Sequence, residues 1–265
     1  MIQLPSGSQT TLLLAIMSDP VYISEIFSSI QGEGMLAGRR QIFVRLMECN
    51  LDCLYCDTNF EKSDICRLES KPGSGILLNI PQPLSLYEVS SIFDEWRTQL
   101  PGAHHSVSFT GGEPLLYADA LAEWFPEIRK TLPIHLETNG TMHIALQQVK
   151  QYTDYISMDM KLPSTAGCTE QLWELHALFL QEAYGSNVSV KIVVGESTPD
   201  SEIRQVCDVI SSVDAALPLF LQPLSLPDGS VGISAARVLR LQELASSRLP
   251  DVRVIPQMHK MLGAL

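Results

Sequence analysis

Long apolar runs are missing from this 265-residue sequence. The longest near the N-terminus, Leu12–Met17, falls far short of the roughly 20 residues a bilayer requires, so no membrane span is expected. That stretch also lacks a positively charged lead-in, since the first basic residue is Arg39, and it offers no clear cleavage site, so it does not read as a signal peptide. Residues 1–19 read instead as a flexible extension, with Met17 an alternative initiator. Basic residues are scarce, 18 against 30 acidic, for a formal net charge of −12. Such a chain repels phosphate backbones and anionic lipid surfaces, which argues against nucleic-acid and membrane partners. Charge of either sign is thin at 18%, against roughly 25% in typical globular domains, which suggests a fold that covers much of its own surface or pairs with a second copy of the chain. No repeat and no low-complexity segment is present.

What is present is a normal globular interior. Apolar residues make up 45% of the chain, enough for a core that needs no disulfide staples. A cytoplasmic, reducing location follows, where six cysteines point to metal or redox chemistry. β-rich runs at Gln41–Met47, Ser106–Phe109, Ile134–Glu137, Tyr155–Met158, Val188–Val194, Leu217–Leu221 and Val252–Ile255 alternate with helical patterns. Val21–Phe27 reads as a further edge strand. Most runs are continuously apolar, as parallel strands buried on both faces would be. Between them, Ser85 and Glu88 form a capping box ahead of Val89, Ile92, Phe93, Trp96 and Leu100 at helical spacing. Thr198 with Pro199 at the first helical position opens another helix, whose apolar face carries Ile203, Val206, Cys207 and Ile210. This alternation predicts an α/β fold with a parallel sheet, open or curled into a barrel. Residues 20–265 read as one domain, with 62–85 an inserted loop containing a short strand at Ile76–Ile80.

Polar and glycine residues collect after the strands, where α/β folds place their active sites. Three of the six cysteines, Cys49, Cys53 and Cys56, fall in one such loop with the spacing C-x3-C-x2-C. Three soft thiolates suit three corners of a cubane iron–sulfur cluster, leaving one iron open. A structural zinc site with Cys66 as fourth ligand is an alternative, as is a cluster used only for electron transfer. Cys207 reads as core, and Cys168 and Cys66 as loop residues. Gly111-Gly112-Glu113-Pro114 follows the strand Ser106–Phe109, and its glycines allow backbone carbonyls to approach a small cation closely.

The run from Cys49 to Thr58, with Tyr55 just before the third cysteine, resembles the signature of radical S-adenosylmethionine (SAM) enzymes. The resemblance implies a [4Fe-4S] cluster on Cys49, Cys53 and Cys56, whose open iron is chelated by SAM, and cleavage of SAM to a 5′-deoxyadenosyl radical. It implies SAM contacts from Tyr55, Cys56 and Asp57 and from the glycine motif at Gly112 and Glu113. Ser157, Asp159 and Lys161 stand where many members carry a Ser-Pro-Lys motif, here without its proline, and Gln222 matches a late SAM-contact segment.

Ser24 to Gly34, with Gly38-Arg39 and Phe43-Val44-Arg45, is similar to the 7-carboxy-7-deazaguanine synthase family. That resemblance covers about residues 21–265 and implies a partial TIM-like β/α barrel of about six parallel strands with flanking terminal strands. It implies conversion of 6-carboxy-5,6,7,8-tetrahydropterin to 7-carboxy-7-deazaguanine with release of ammonia, a step of queuosine and 7-deazapurine biosynthesis. Glu33 and Gln31 suit the 2-amino-4-oxo edge of a pterin, and Arg45 suits its carboxylate. By the same resemblance Ile30, Gln31, Gly32 and Thr110 line the substrate pocket, Thr58 holds Mg2+, and His259 and the C-terminal Leu265 approach the pterin. Glu137 is a further polar candidate. A homodimer and a flavodoxin- or ferredoxin-like electron donor are also implied. Rival readings are a radical SAM activase that makes a glycyl radical on a partner protein, an iron–sulfur electron carrier, and a zinc-stabilised binding module.

Overall fold

The computed structural model describes residues 20–56, 61–168 and 172–265. The chain opens with β1 (Ile23–Ile30) and its antiparallel neighbour β2 (Arg40–Leu46), followed by β3 (Ile65–Glu69) and β4 (Leu77–Pro81). Helix α1 (Leu86–Gln99) leads into β5 (Ser106–Gly111), α2 (Ala118–Ile128), β6 (Ile134–Thr138), α3 (His143–Val149) and β7 (Tyr155–Asp159). After the single turn α4 (Pro163–Ala166) come α5 (Leu172–Ala183), β8 (Val188–Val194), α6 (Asp200–Val213) and β9 (Leu219–Pro223). The chain closes with α7 (Ala235–Ser246), β10 (Val252–Val254) and the short α8 (Met258–Leu262).

These strands form one ten-stranded sheet in the order β10-β9-β8-β7-β6-β5-β2-β1-β3-β4. From β2 outward through β5 to β10 every pairing is parallel, giving seven parallel strands joined by helical crossovers. The two ends of the sheet do not pair, so the barrel stays open. Three sequence expectations differ from the structure. The first strand is not an edge, because β1 is flanked by β2 and β3. The 62–85 insertion is not a loop but the antiparallel hairpin β3–β4, which extends the sheet beyond β1 and carries the short strand foreseen at Ile76–Ile80. Cys66, expected in a loop, lies on β3 and is fully buried in the core.

The strands are less uniformly apolar than their runs suggested. Ile42, Val44, Val107, Phe109, Ile134, Leu136, Ile156, Met158, Val190, Ile192, Leu219 and Leu221 are buried in the main core cluster. Successive side chains point to opposite faces of a sheet, so the intervening positions form a second face. That face carries Gln41, Ser106, Ser108, His135, Glu137, Ser157, Asp159, Lys191 and Gln222, aligned across the sheet by register. One face packs helices; the other lines the barrel's interior. The capping box of α1 is formed, with Glu88 Oε2 accepting from the Ser85 backbone N–H at 2.7 Å. Pro199, expected inside α6, is instead its N-cap, and Thr198 accepts from the Gly195 N–H at 2.9 Å.

The Phe109 and Phe125 rings, 4.8 Å apart, join β5 to α2 beneath the glycine motif. Phe109→Ala is expected to remove about 3–5 kcal/mol of stability, the usual result of a large cavity in a dense core. A urea midpoint unchanged from the parent would contradict this packing.

Candidate active site

At the carboxyl ends of the parallel strands lies a cavity. It is lined by all three clustered cysteines and by residues from every parallel strand except β10. The loop bearing the cysteines is fastened by backbone and amide groups. Glu48 adopts a left-handed φ of 63°, and its carbonyl accepts from the Glu113 N–H at 2.9 Å. The Gly112 N–H reaches the Leu46 carbonyl at 3.0 Å, and a Cβ on Gly112 would land on the Glu48 carbonyl, so only glycine fits this close approach. Asn139 Nδ2 donates to Asn50 Oδ1 at 2.8 Å, and Asn50 Nδ2 donates to Thr141 Oγ1 at 2.9 Å, tying the loop to the end of β6. Leu54 N–H donates to the Ala166 carbonyl at 3.1 Å, tying it to α4.

The thiols suit a shared metal cluster. Burial raises the Cys49 thiol and pushes Cys53 up to about 12, so their thiolates need a strongly binding cation. Among the described residues no three His, Cys, Asp or Glu side chains converge as ligands of one ion. A cubane takes its thiolates on separate irons. Cys66 cannot be a fourth ligand, since it is sealed in the core and lines no part of the cavity. Cys168, beyond α4, sits in hydrogen-bonding reach of Cys53. Asp57 and Thr58 lie outside the described residues.

Glu113 departs from expectation. It is fully buried, and its carboxylate accepts from the Leu115 N–H at 3.0 Å, Thr138 Oγ1 at 2.8 Å and the Asn139 N–H at 2.7 Å. Burial raises its carboxyl despite these bonds. It braces the glycine motif against β6 and does not line the cavity, where Gly111 and Gly112 do. The Glu113 side chain, expected at SAM, is thus engaged with Leu115, Thr138 and Asn139.

Deeper in, four charges share one patch. Lys191 lies 2.5 Å from Glu33 and 3.1 Å from Asp159, and Lys161 lies 2.8 Å from Asp159. Burial alone would raise the Asp159 carboxyl; Lys161 and Lys191 overcome that and hold it at about 2. Burial likewise works against Glu33, but Lys191 and Gln257 hold it below the ordinary carboxylate value. Both lysines stay protonated, since their carboxylates overcome the loss of water. Lys161 also reaches Tyr55 Oη at 3.1 Å. Two oxygens remain unsatisfied although buried, Asp159 Oδ1 and Gln222 Oε1. Both residues line the cavity, and buried polar atoms ordinarily have partners. The orphaned acceptors thus fit a ligand that brings hydroxyl or N–H donors, as SAM does through its ribose and amino groups.

At the far end, Gln31 Nε2 donates to Glu137 Oε1 at 3.0 Å and to Gln41 Oε1 at 3.1 Å, and Ser108 donates to Glu137 at 2.5 Å. His135, held neutral by burial, bridges Ser157 at 2.8 Å and Gln41 at 3.2 Å. Glu33 is more committed than its sequence suggested: Oε2 takes Lys191, while Oε1 takes Gln257 at 2.7 Å and Gln222 at 3.3 Å. The C-terminal segment covers this end. Met258 N–H donates to the Gly32 carbonyl at 3.1 Å, and a Cβ on Gly32 would land on the His259 ring. Ile30, Gly32, Arg45, Thr110, Ser157, His259 and Leu265 all line the same cavity. The sequence reading missed Lys191, Gln257, Asn139 and Ser108. Lys191 left a signal, as the lone charge in the otherwise apolar or small run Val188–Val194; Gln257 and Asn139 stood in the polar segments Gln257-Met258-His259-Lys260 and Glu137-Thr138-Asn139-Gly140, and Ser108 left none.

Residues 46–210 match the radical SAM superfamily. With its open barrel and its three-cysteine loop at the strand ends, the chain is a radical SAM protein. It is 46% identical to the 7-carboxy-7-deazaguanine synthase of Geobacter sulfurreducens, over 94% of this chain and 100% of that one. It is 36% identical to the 7-carboxy-7-deazaguanine synthase of Methanothermobacter thermautotrophicus, over 91% and 96%. The crystal structure of QueE from Escherichia coli superposes with a TM-score of 0.55 at 21% identity, covering 89% of this chain and 94% of that one. A radical SAM methyltransferase from Sphaerobacter thermophilus superposes at 0.57 with 14% identity, covering 83% and 70%. These two structural likenesses show the fold, a partial TIM barrel. The chain belongs to the 7-carboxy-7-deazaguanine synthase family.

The charge patch and the cover each generate a test. Lys191→Met leaves Glu33 with no cation and Asp159 with one, and breaking a buried pair removes about 3–5 kcal/mol. Asp159 is depressed in the folded chain, so its contribution is present above an unfolded value of roughly 3.9 and lost as pH falls toward its folded value. In Lys191→Met the loss should begin at higher pH, read by urea unfolding between pH 3 and 7; an unshifted acid limb refutes the pairing. Gly32→Ala should displace α8, read as faster amide exchange across Met258–Leu262; unchanged protection means the contact does not hold the helix.

Proposed function

We propose that this chain carries out the ring contraction for which its family is named. Its substrate is 6-carboxy-5,6,7,8-tetrahydropterin, its product 7-carboxy-7-deazaguanine, and ammonia is lost. The observation that carries the reading is one cavity whose rim holds the three-cysteine loop and whose interior holds an arginine, carboxylates and amides suited to a carboxylated pterin. When bound, the cluster and SAM supply a hydrogen-abstracting carbon radical. Everything else falls to the chain. Cys49, Cys53 and Cys56 would hold the cluster. The backbone at Gly112, with Tyr55, Ser157, Asp159, Lys161 and Gln222, would hold SAM, satisfying the orphaned oxygens of Asp159 and Gln222.

Arg45 offers a planar cationic fork for the substrate carboxylate. The 2-amino-4-oxo edge needs an acceptor. Glu33 already accepts from Lys191, Gln257 and Gln222, so in this reading that role passes to Glu137, whose Oε1 is fixed by Gln31 and Ser108. Glu33 then anchors Lys191 and the C-terminal cover. Thr110, Ile30, Gly32, His259 and Leu265 shape the pocket and keep water out, which orients the substrate and strengthens each polar contact.

Magnesium held through Thr58, SAM contact by Asp57, a homodimer and a small flavodoxin- or ferredoxin-like reductant belong to the same proposal, as does a cytoplasmic location. Among the described residues no helix is long and apolar enough to cross a membrane. Family membership removes the glycyl-radical activase, the electron carrier and the zinc module as rivals. Anaerobic reconstitution with iron and sulfide, followed by dithionite, SAM and the carboxy-tetrahydropterin, should yield a product absorbing as a deazaguanine. Cys53→Ala should abolish it, and Thr58→Ala should raise the magnesium concentration required. Product formation that ignores Cys53 would overturn the reading.

A further inference from the structure

Register places three charges in one row across the first three strands of the chain. Glu25 on β1 lies opposite Arg45 on β2 and opposite Arg67 on β3. Its carboxylate is divided between them: Oε1 accepts from Arg45 Nε at 2.7 Å and Oε2 from Arg67 at 2.6 Å. Glu25 is the most buried of the three, with 12% of its side chain exposed against 28% for Arg45 and 54% for Arg67. Arg45 is boxed further by the Phe27 ring, 5.6 Å from its guanidinium carbon, and by Gly111, where a Cβ would come within 2.8 Å of Arg45 Cγ. Its guanidinium makes no other hydrogen bond or ion pair among the described residues. Arg45 lines the cavity; Arg67 and Glu25 do not.

The charge arithmetic of this row matters to an anion. Glu25 fixes the Arg45 fork through Nε, but a carboxylate beside an arginine also cancels its charge. Arg67 returns the row to a net single positive charge and draws half of the carboxylate away from Arg45. Resting on the pterin reading above, we infer that Arg67, carried by the β3–β4 hairpin, is a positioning residue that sets the charge and aim of Arg45 toward a carboxylate-bearing substrate. The hairpin thus belongs to the binding site without touching the ligand. Because Arg67 is half exposed and screened by solvent, its effect is moderate.

The test compares equilibrium binding of 6-carboxy-tetrahydropterin with that of 6-methyl-tetrahydropterin, which lacks the carboxylate. Arg67→Gln should weaken the carboxylated ligand about two- to fivefold, a range typical of one partly screened charge, and leave the methyl analogue unmoved. In turnover the loss should appear in KM rather than kcat. Arg67→Lys should recover most of it. The double variant Glu25→Gln with Arg67→Gln restores the single net charge and keeps an amide oxygen for Arg45 Nε, so it should bind the carboxylated pterin nearly as the parent does. If Arg67 merely fastens the hairpin, the double variant is no better than the single one, and the inference fails. Equal losses for both ligands, or none, also overturn it. A parent protein that binds neither pterin overturns the functional reading itself, a result distinct from pterin binding that ignores Arg67.

Discussion

Two carboxylates and two ammonium groups, removed from bulk water and confined to one patch at the strand ends, are the constraint around which the site is arranged. Isolating any one of them would be strongly destabilising. They persist because Glu33, Lys191, Asp159 and Lys161 alternate in sign and touch in sequence. They come from three separate parts of the chain: the loop after β1, β8, and the end of β7 with the turn that follows it. The patch therefore forms only when the parallel sheet is in register, with Asp159 opposite Lys191. It also ties the C-terminal segment to the barrel, through Gln257 on Glu33. It leaves Asp159 Oδ1 and Gln222 Oε1 unpaired, on two residues that line the cavity.

The rest of the fold serves that interior. Alternate strand residues pack against helices and fill the core, and the positions between them face the cavity. An open barrel with a polar lining is not self-sufficient, and polar residues such as Gln41, Ser108 and His135 are held by one another. The stretch from Glu48 to Leu54 is anchored in a similar way. Its anchors are glycine backbone at Gly112, the Asn50–Asn139 amide pair and the Leu54 N–H, none of which depends on a metal. A loop already in place has less ordering to undergo when a cluster binds.

Much of the chemistry was legible because it is local. The cysteine spacing, the two glycines after a strand and the segment from Ser24 to Gly34 each fit in a short window, and the capping box at Ser85 is readable for the same reason. What escaped notice depends on the third dimension. Lys191 was visible as a charge in an apolar strand, but its partners Glu33 and Asp159 lie far away in sequence. Glu113 sits in a readable motif, yet its carboxylate's buried donors at Leu115, Thr138 and Asn139 could not be read from it. The hairpin β3–β4 reads as a loop in sequence because of its Lys71-Pro72-Gly73-Ser74-Gly75 turn, and because Arg67 and Glu69 interrupt its first strand. Those same charges are what join it to the barrel, through Glu25 and through Glu69 accepting from the Ser28 N–H at 2.9 Å.

The central claim is that Cys49, Cys53 and Cys56 hold a cluster with one iron left for SAM, although Cys168 stands beside Cys53. Iron-57 Mössbauer spectroscopy of the reconstituted, oxygen-protected protein, with and without SAM, tests this most directly. The account predicts that a single iron of the cubane changes its isomer shift when SAM is added while the others hold theirs. A spectrum indifferent to SAM, or one in which all irons are already thiolate-bound until Cys168 is removed, would contradict it.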